Sequence, residues 1–177
     1  LLLFMSKKIE ISGINNKYMM KKFVLKEEKE LKQNDKIFFN DCYDYNVQKT
    51  ILFKSYLNDN SNECIILNKE LQKKLNGYIS QDKKKNRYEK DIFISLQQLL
   101  EKLVESQLKC FYCQKEIYLL YQNSREPCQW TLERLDNNIQ HKLDNIEICC
   151  LKCNLQRRNQ NSDAFKMSKQ MKIIKIK

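Results

Sequence analysis

The stretch Cys110-Phe-Tyr-Cys113 is matched further along the chain by Cys150-Leu-Lys-Cys153, and these two motifs decide the fold. A Cys-x-x-Cys loop places two thiolates on one side of a tight turn, and two such loops complete a tetrahedral four-thiolate zinc site. The segment 114–149 between the pairs is longer than a simple zinc ribbon allows, so a folded unit must lie inside the closure. We therefore predict that Cys110, Cys113, Cys150 and Cys153 bind one structural Zn²⁺.

Disulfides and unrelated buried thiols are the alternatives for these cysteines. Disulfides fit poorly, because the chain shows neither a signal peptide nor the framework of a small secreted protein. Cys149 is expected to point away from the cluster, since neighbours on a strand face opposite sides. Cys128 is expected outside the site, and Cys42 and Cys64, which lack Cys-x-x-Cys partners, are expected to be core or surface thiols.

The residues between the two motifs have the pattern of a hairpin followed by a helix. Residues 130–135 alternate as a short strand does, with Trp130 and Leu132 on one face. The Asp-Asn-Asn sequence at 136–138 has turn chemistry. Residues 146–148 alternate again and predict a second strand, and a helix is expected from 151 to about 160. A zinc ion bound by both motifs would pin the hairpin to this helix.

The stretch Trp130-Thr-Leu-Glu-Arg-Leu-Asp-Asn-Asn138, followed by His141-Lys-Leu-Asp-Asn145-Ile-Glu-Ile-Cys-Cys150-Leu-Lys-Cys153-Asn154, resembles the HNH endonuclease family. In that family a β-hairpin and a helix grip one divalent metal ion, and many members carry two zinc-binding Cys-x-x-Cys pairs. The resemblance covers about residues 108–160, near a third of the chain. It implies a zinc-stapled ββα-metal (HNH-like) C-terminal domain. With a mostly helical N-terminal region before it and a basic C-terminal tail after it, both indicated by the residues, the predicted fold class is α+β.

The resemblance also implies the ligands of a catalytic ion. Glu133 stands at the position of the acidic ligand, and Asn154, directly after the second cysteine pair, stands at the position of the second ligand. Helix capping is the alternative role for Asn154. Asn145 matches the asparagine that braces the hairpin loop. The ion is expected to be Mg²⁺ or Mn²⁺, which stabilises the leaving 3′ oxygen as charge develops on it.

The position of the family's general base is occupied by Arg134, which stays protonated at any relevant pH and cannot accept a proton. Arg134 therefore either clamps the scissile phosphate or marks a domain that binds without cutting. His141, the only histidine, is the candidate replacement, because the ordinary pKa of histidine suits a general base. Its alternative roles are to stabilise the turn or to contact a phosphate.

The net charge of +11 favours a nucleic-acid partner, either DNA or RNA, because clustered cations release counterions from a phosphate backbone. One basic cluster lies within 83–87, and another lies within 152–177, where eight Lys or Arg residues accompany a single acid. A solubilising surface is the alternative interpretation. The residues predicted to bind nucleic acid are Lys83, Lys84, Lys85, Arg87, Arg157, Arg158, Lys166 and Lys169.

The chain divides into three predicted parts. Residues 1–94 form an N-terminal region of uncertain, partly helical fold, 95–160 form the zinc domain, and 161–177 form the basic tail. Helices are expected over 19–32 and 70–80, and a third helix, capped by Ser95, carries a stripe of leucines. Short strands or buried segments are expected over 37–39 and 64–67, and a short strand is expected to include 118–121. The segment 81–88 is expected to be a basic linker.

Two functions from different classes fit these patterns. One is a metal-dependent endonuclease that hydrolyses phosphodiester bonds. The other is a catalytically silent scaffold that binds RNA or DNA inside a larger nucleoprotein assembly, such as an organellar ribosome. No apolar run is long enough to span a membrane. The expected location is an intracellular, reducing compartment, and the sequence does not separate a nuclear, viral or mitochondrial setting.

Overall fold

The computed structural model describes residues 39–171, which form a mixed α+β fold with five α-helices and one two-stranded sheet. The helix predicted over 19–32 and the first two residues of the segment 37–39 lie outside the described residues. In chain order the elements are α1 (Tyr45–Tyr56), α2 (Asn62–Lys84), α3 (Leu96–Glu105), β1 (Trp130–Arg134), a 3-10 turn (Leu143–Asn145), β2 (Ile146–Cys150), α4 (Leu151–Arg157) and α5 (Ser162–Gln170).

Helix α2 is longer than the sequence analysis predicts. For 64–67 the sequence predicts a strand or a buried segment, and the strand is wrong, because Cys64 and Leu67 open the buried stripe of this helix. The stripe continues with a spacing of three or four residues, which is the period of a helix packed on one face. The predicted linker 81–88 is wrong at its start, since α2 runs through Lys84. The full set of buried residues in α2 is Cys64, Leu67, Leu71, Leu75, Tyr78 and Asp82.

Helix α3 confirms the predicted cap and stripe. The Ser95 hydroxyl accepts a hydrogen bond from the backbone N–H of Gln98, and the Gln98 side chain accepts one from the backbone N–H of Ser95. This reciprocal pair satisfies two of the donors that a helix start leaves open. Leu99, Leu100 and Leu103 are buried. The helix therefore leads the chain directly into the first cysteine pair.

Strands β1 and β2 pair antiparallel, with Trp130 opposite Cys150 and Arg134 opposite Ile146. The predicted hairpin is confirmed in its position, and β2 extends to Cys150. Helix α4 follows β2 without a loop and ends at Arg157, short of residue 160, because Arg158 has a left-handed φ of 52°. The segment thus has the strand–strand–helix order that its sequence pattern indicates.

Most of the segment predicted as a basic tail is helical up to residue 170. Asn161 caps α5 by accepting hydrogen bonds from the backbone of Asp163 and Ala164. Phe165 is buried, with its ring 4.9 Å from that of Tyr112. Helix α5 therefore packs against the first cysteine loop, and the tail prediction is corrected for this stretch.

The strand predicted over 118–121 is reduced to one isolated bridge, from Tyr118 to Gln129.

Buried apolar side chains from Cys42 to Phe165 form one continuous hydrophobic cluster, which crosses the boundary predicted after residue 94. The N-terminal helices and the segment that carries the two cysteine pairs therefore share a core. None of the helices within 39–171 is long and apolar enough to cross a membrane.

Candidate metal centre and adjoining cleft

The sulfur atoms of Cys110, Cys113, Cys150 and Cys153 all lie within 4.8 Å of one another. A tetrahedral zinc ion with Zn–S bonds of about 2.3 Å requires sulfur atoms about 3.8 Å apart. The Sγ atoms of Cys113 and Cys150 are separated by 4.0 Å. The cluster therefore fits a metal ion, and four thiols in this arrangement favour zinc.

Local backbone structure brings the four thiols together. The first loop is closed by a bridge between Lys109 and Glu116, and the Phe111 N–H donates to the Ile148 carbonyl of β2. Cys150 ends β2, and its backbone N–H donates to the Sγ of Cys110 at 3.3 Å. The hydrogen bond with Cys150 lowers the pKa of Cys110, which favours the thiolate that binds metal.

The remaining cysteines lie outside this cluster, as predicted for Cys128 and Cys149. Cys149 is buried on the other face of β2, with its Sγ 3.2 Å from the Thr131 hydroxyl. Cys42 and Cys64 are both buried in the core. All eight cysteines fall within the described residues and carry free thiols, so the disulfide alternative finds no support.

A cleft of about 660 Å³ lies between α2 and α4, at the edge of β1 that β2 leaves free. The backbone of Leu132 at this edge is bonded from both sides, because its N–H donates to the Tyr78 hydroxyl and its carbonyl accepts from Asn154. The four residues predicted for chemistry all line the cleft: Glu133, Arg134, His141 and Asn154. Three further cations line it: Lys85, Arg87 and Arg158.

His141 lines this cleft although it is only 2% exposed. Its Nδ1 is 2.7 Å from Oδ2 of Asp82, and its ring centroid is 4.7 Å from that of Tyr78. Burial lowers the pKa of His141, and the hydrogen bond and charge of Asp82 offset only part of that shift. The lowered pKa of His141 favours the neutral imidazole, which is the state that can accept a proton.

Asp82 is the functional candidate that the sequence analysis missed. It is fully buried at the end of α2, with Oδ1 3.0 Å from Nε of Arg87 and 3.8 Å from a guanidinium nitrogen of Arg134. Burial would raise the pKa of Asp82, but hydrogen bonds from the backbone and ring of His141 and from Arg87 bring it below the ordinary value. The available signal was the helical stripe of α2, which ends at Asp82 on its buried face.

Arg134 is held by the protein rather than left free at the cleft. One guanidinium nitrogen donates to the carbonyl oxygens of Asn137 at 3.0 Å and Ile139 at 3.3 Å. The same nitrogen lies 3.8 Å from Asp82. Arg134 therefore shapes the hairpin loop and balances the charge of Asp82, while its side chain still lines the cleft.

Glu133 and Asn154 approach the cleft from β1 and α4. Nε of Arg157 donates to Oε1 of Glu133, and only the Cys149 thiol, at 3.9 Å, hydrogen-bonds Oε2 among the described residues. Burial raises the pKa of Glu133, and Arg157 opposes that shift. Asn154 donates from Nδ2 to the Thr131 hydroxyl at 3.3 Å. Cys150 is the N-cap of α4, so helix capping does not explain Asn154.

Arg157 was predicted to bind nucleic acid, and its position corrects that prediction. It is 2% exposed and pairs with Glu133, and its guanidinium also donates to the Gln160 and Arg134 carbonyls and to Oδ1 of Asn137. A buried arginine with every contact inside the protein does not reach a phosphate. Its neighbour Arg158 is exposed and lines the cleft.

The other predicted phosphate contacts fall into two groups. Lys83, Lys84 and Lys85 are exposed at the end of α2, close to the cleft, whereas Arg87 is half-buried against Asp82. Lys166 and Lys169 lie on α5 away from the cleft lining, and Lys166 stands 3.8 Å above the Phe111 ring. The predicted phosphate contacts that lie at the cleft thus come from the end of α2, the segment after it and Arg158 rather than from α5.

Asn145, predicted to brace the hairpin loop, makes three hydrogen bonds across that loop. Its Oδ1 accepts from the Asp136 N–H at 2.9 Å, and its Nδ2 donates to the carbonyls of Asp136 and Gln140. The side chain of Gln140 in turn bonds both backbone groups of Glu89. These bonds hold the loop that carries His141 against the segment after α2.

Comparison of the chain with protein-family models, with curated proteins and with solved structures gives no match. No family is established by these comparisons. A functional assignment therefore rests on the geometry of the cysteine cluster and of the cleft, together with the motifs in the sequence.

Proposed function

We propose that the protein is a zinc-stabilised, metal-dependent endonuclease of the HNH type that hydrolyses phosphodiester bonds in DNA or RNA. The observation that carries the proposal is the shared cleft, in which Glu133, Arg134, His141 and Asn154 line one cavity. With Lys85, Arg87 and Arg158 this cavity has four cationic side chains and one carboxylate in its lining. Such an excess of positive charge attracts a phosphate backbone.

The oxygen atoms at the cleft fit a hard divalent cation. Oε2 of Glu133 is left largely open by Arg157, and within residues 39–171 the hydrogen bonds of Asn154 leave its Oδ1 without a partner. Mg²⁺ and Mn²⁺ prefer oxygen ligands, and Mg²⁺ is commonly held by one or two protein ligands with substrate phosphates completing its shell. A bound ion would stabilise the negative charge that develops on the leaving oxygen.

The chain's own residues supply the proton acceptor. In the proposed reaction Nε2 of His141 takes a proton from a water molecule, and the water oxygen forms a bond to phosphorus as the bond from phosphorus to the 3′ oxygen breaks. The leaving oxygen takes a proton from solvent, so the products are a 3′ hydroxyl and a 5′ phosphate. Arg134 contributes charge at the cleft and takes no proton.

Two observations favour a second function, a scaffold that binds nucleic acid without cutting it. Glu133 is already paired with Arg157, so its charge is balanced without a metal ion. Arg134 stands where the HNH motif has its base. A protein of this kind would use the zinc region as a rigid support and the exposed lysines to anchor it in a larger nucleoprotein assembly.

Nucleic-acid cleavage by the zinc-loaded full chain tests the proposal. We expect nicking of DNA or RNA with Mg²⁺ or Mn²⁺, and we expect His141→Ala to reduce it by about 10²- to 10⁴-fold, the range of general acid–base contributions. Glu133→Gln and Asn154→Ala should also reduce cleavage, because each removes a ligand oxygen or its charge. The measurement is the initial rate on labelled oligonucleotides, with zinc content determined for each variant.

The matched control is Leu143→Ala, which shortens an exposed side chain of the same loop, outside the cleft lining, and leaves His141 in place. It should retain most of the activity. Cleavage that survives His141→Ala would eliminate His141 as the base. A zinc-loaded wild type that binds nucleic acid but cleaves none with either ion would favour the scaffold.

A further inference from the structure

The ring of His141 is fixed by two hydrogen bonds to one oxygen atom. Oδ2 of Asp82 accepts from the His141 backbone N–H at 2.9 Å and lies 2.7 Å from Nδ1 of the ring. The same loop is anchored by the Ile94 N–H, which donates to the His141 carbonyl at 3.0 Å. The ring of Phe93 lies 6.3 Å from the imidazole, and that of Tyr78 lies closer. These contacts leave the ring little freedom to rotate.

The chemistry of Asp82 decides where the imidazole carries its proton. An ionised carboxylate can only accept hydrogen bonds, so the nitrogen that faces it must be the donor. Arg87 and Arg134 both lie within 4 Å of Oδ1 and stabilise the ionised form. Nδ1 therefore holds the proton of the neutral ring, and Nε2 holds the lone pair. Within residues 39–171 no hydrogen bond engages Nε2.

We propose that Asp82 is a positioning residue that keeps the His141 proton on Nδ1 and presents the Nε2 lone pair to the cleft. The proposal rests on the proposed function and deepens it, since it explains how a histidine outside the usual base position acts as proton acceptor. Once Nε2 takes a proton from water, the carboxylate also stabilises the resulting imidazolium. Nothing in the sequence motif assigns this role, because Asp82 precedes the motif by about fifty residues.

The proposal can be read directly by NMR, because the chain contains one histidine. The experiment uses the untagged, zinc-loaded full chain labelled with ¹⁵N, and records the correlations of the ring nitrogens between pH 5 and 8. At pH 8 we expect a neutral ring with Nδ1 protonated and Nε2 unprotonated. A ring protonated on Nε2 alone, or one still cationic at pH 8, would overturn the proposal.

The Asp82→Asn variant provides a second measurement, the pKa of His141. A purely structural role of Asp82 would leave this pKa unchanged. The groups that face His141 are Asp82 and Tyr78 from α2, Arg87 after it and Arg134 from β1. Removing the Asp82 charge removes a factor that raises the pKa of His141, so that pKa should fall in the variant. The acid limb of the rate–pH profile should shift to lower pH with it, and kcat should fall by about tenfold or more at unchanged KM.

Asp91→Asn is the matched control, because it makes the same chemical change on an exposed residue of the neighbouring loop. It should leave the pKa and the profile unchanged. An Asp82→Asn variant whose His141 titrates as in the wild type would contradict the positioning role. If the wild type shows the expected proton on Nδ1 but cleaves no nucleic acid, the placement of the proton is supported and the nuclease proposal fails.

Discussion

Replacing Cys153 by serine is expected to remove the zinc ion and unfold the zinc region. Cys153 is buried in the first turn of α4 and is one of the four clustered thiols. Structural zinc sites have apparent binding free energies of roughly 10–16 kcal/mol in zinc-finger peptides, which compares with roughly 5–15 kcal/mol for the whole stability of a domain. We therefore expect the zinc content to fall from one per chain to near zero, with loss of cooperative unfolding. Elemental analysis and denaturant titration measure both effects.

Cys128→Ser is the matched control for this experiment. Cys128 undergoes the same chemical change, lies outside the cluster and is only partly buried. It should keep one zinc per chain and most of the stability. If Cys153→Ser retained full zinc content, or if Cys128→Ser lost zinc equally, the assignment of the four ligands would be wrong.

Replacing Arg157 by methionine is expected to cost about 3–5 kcal/mol of unfolding free energy, the range for breaking one side of a buried ion pair. Arg157 and Glu133 are both nearly inaccessible to solvent, so the carboxylate would remain buried without its cationic partner. The Arg134 and Gln160 carbonyls would lose a donor as well. The measurement is the free energy of unfolding of the zinc-loaded protein in urea.

Arg158→Met provides the control, because it removes the same charge from an adjacent, exposed side chain. Its effect on stability should be within about 0.5 kcal/mol, as for most surface substitutions. Adding Glu133→Gln to Arg157→Met should restore part of the loss, since the second change removes the stranded charge. Equal stability losses from Arg157→Met and Arg158→Met would contradict the buried pair.

The cysteine cluster and the hairpin are predictable from sequence because each depends on short spacings. A Cys-x-x-Cys loop determines the separation of its own two thiols, and alternation over five residues determines which side chains share a strand face. Trp130 and Cys150 then meet because the hairpin register brings the second cysteine pair to the end of β2. The cap at Ser95 is likewise a local pattern, formed with Gln98 three residues later.

The features that could not be predicted from the sequence depend on contacts between segments far apart in the chain. The run of isoleucines after Cys64 has high strand propensity, but the stripe that continues along α2 packs it as a helix. Arg157 lies in a basic stretch of the sequence, which predicts a phosphate contact. In the structure it is buried and paired with Glu133 of β1. Asp82 lies 59 residues before His141, and only the fold brings the two together.

The most direct test of the proposed metal-dependent cleft is anomalous diffraction from crystals of the zinc-loaded protein grown with Mn²⁺. Data collected on both sides of the zinc edge and above the manganese edge distinguish the two ions. We expect a zinc peak among Cys110, Cys113, Cys150 and Cys153, and a manganese peak in contact with Glu133 and Asn154. A zinc peak alone, with Glu133 still bound only to Arg157 at saturating Mn²⁺, would contradict the proposal that this cleft is a metal-dependent nuclease site.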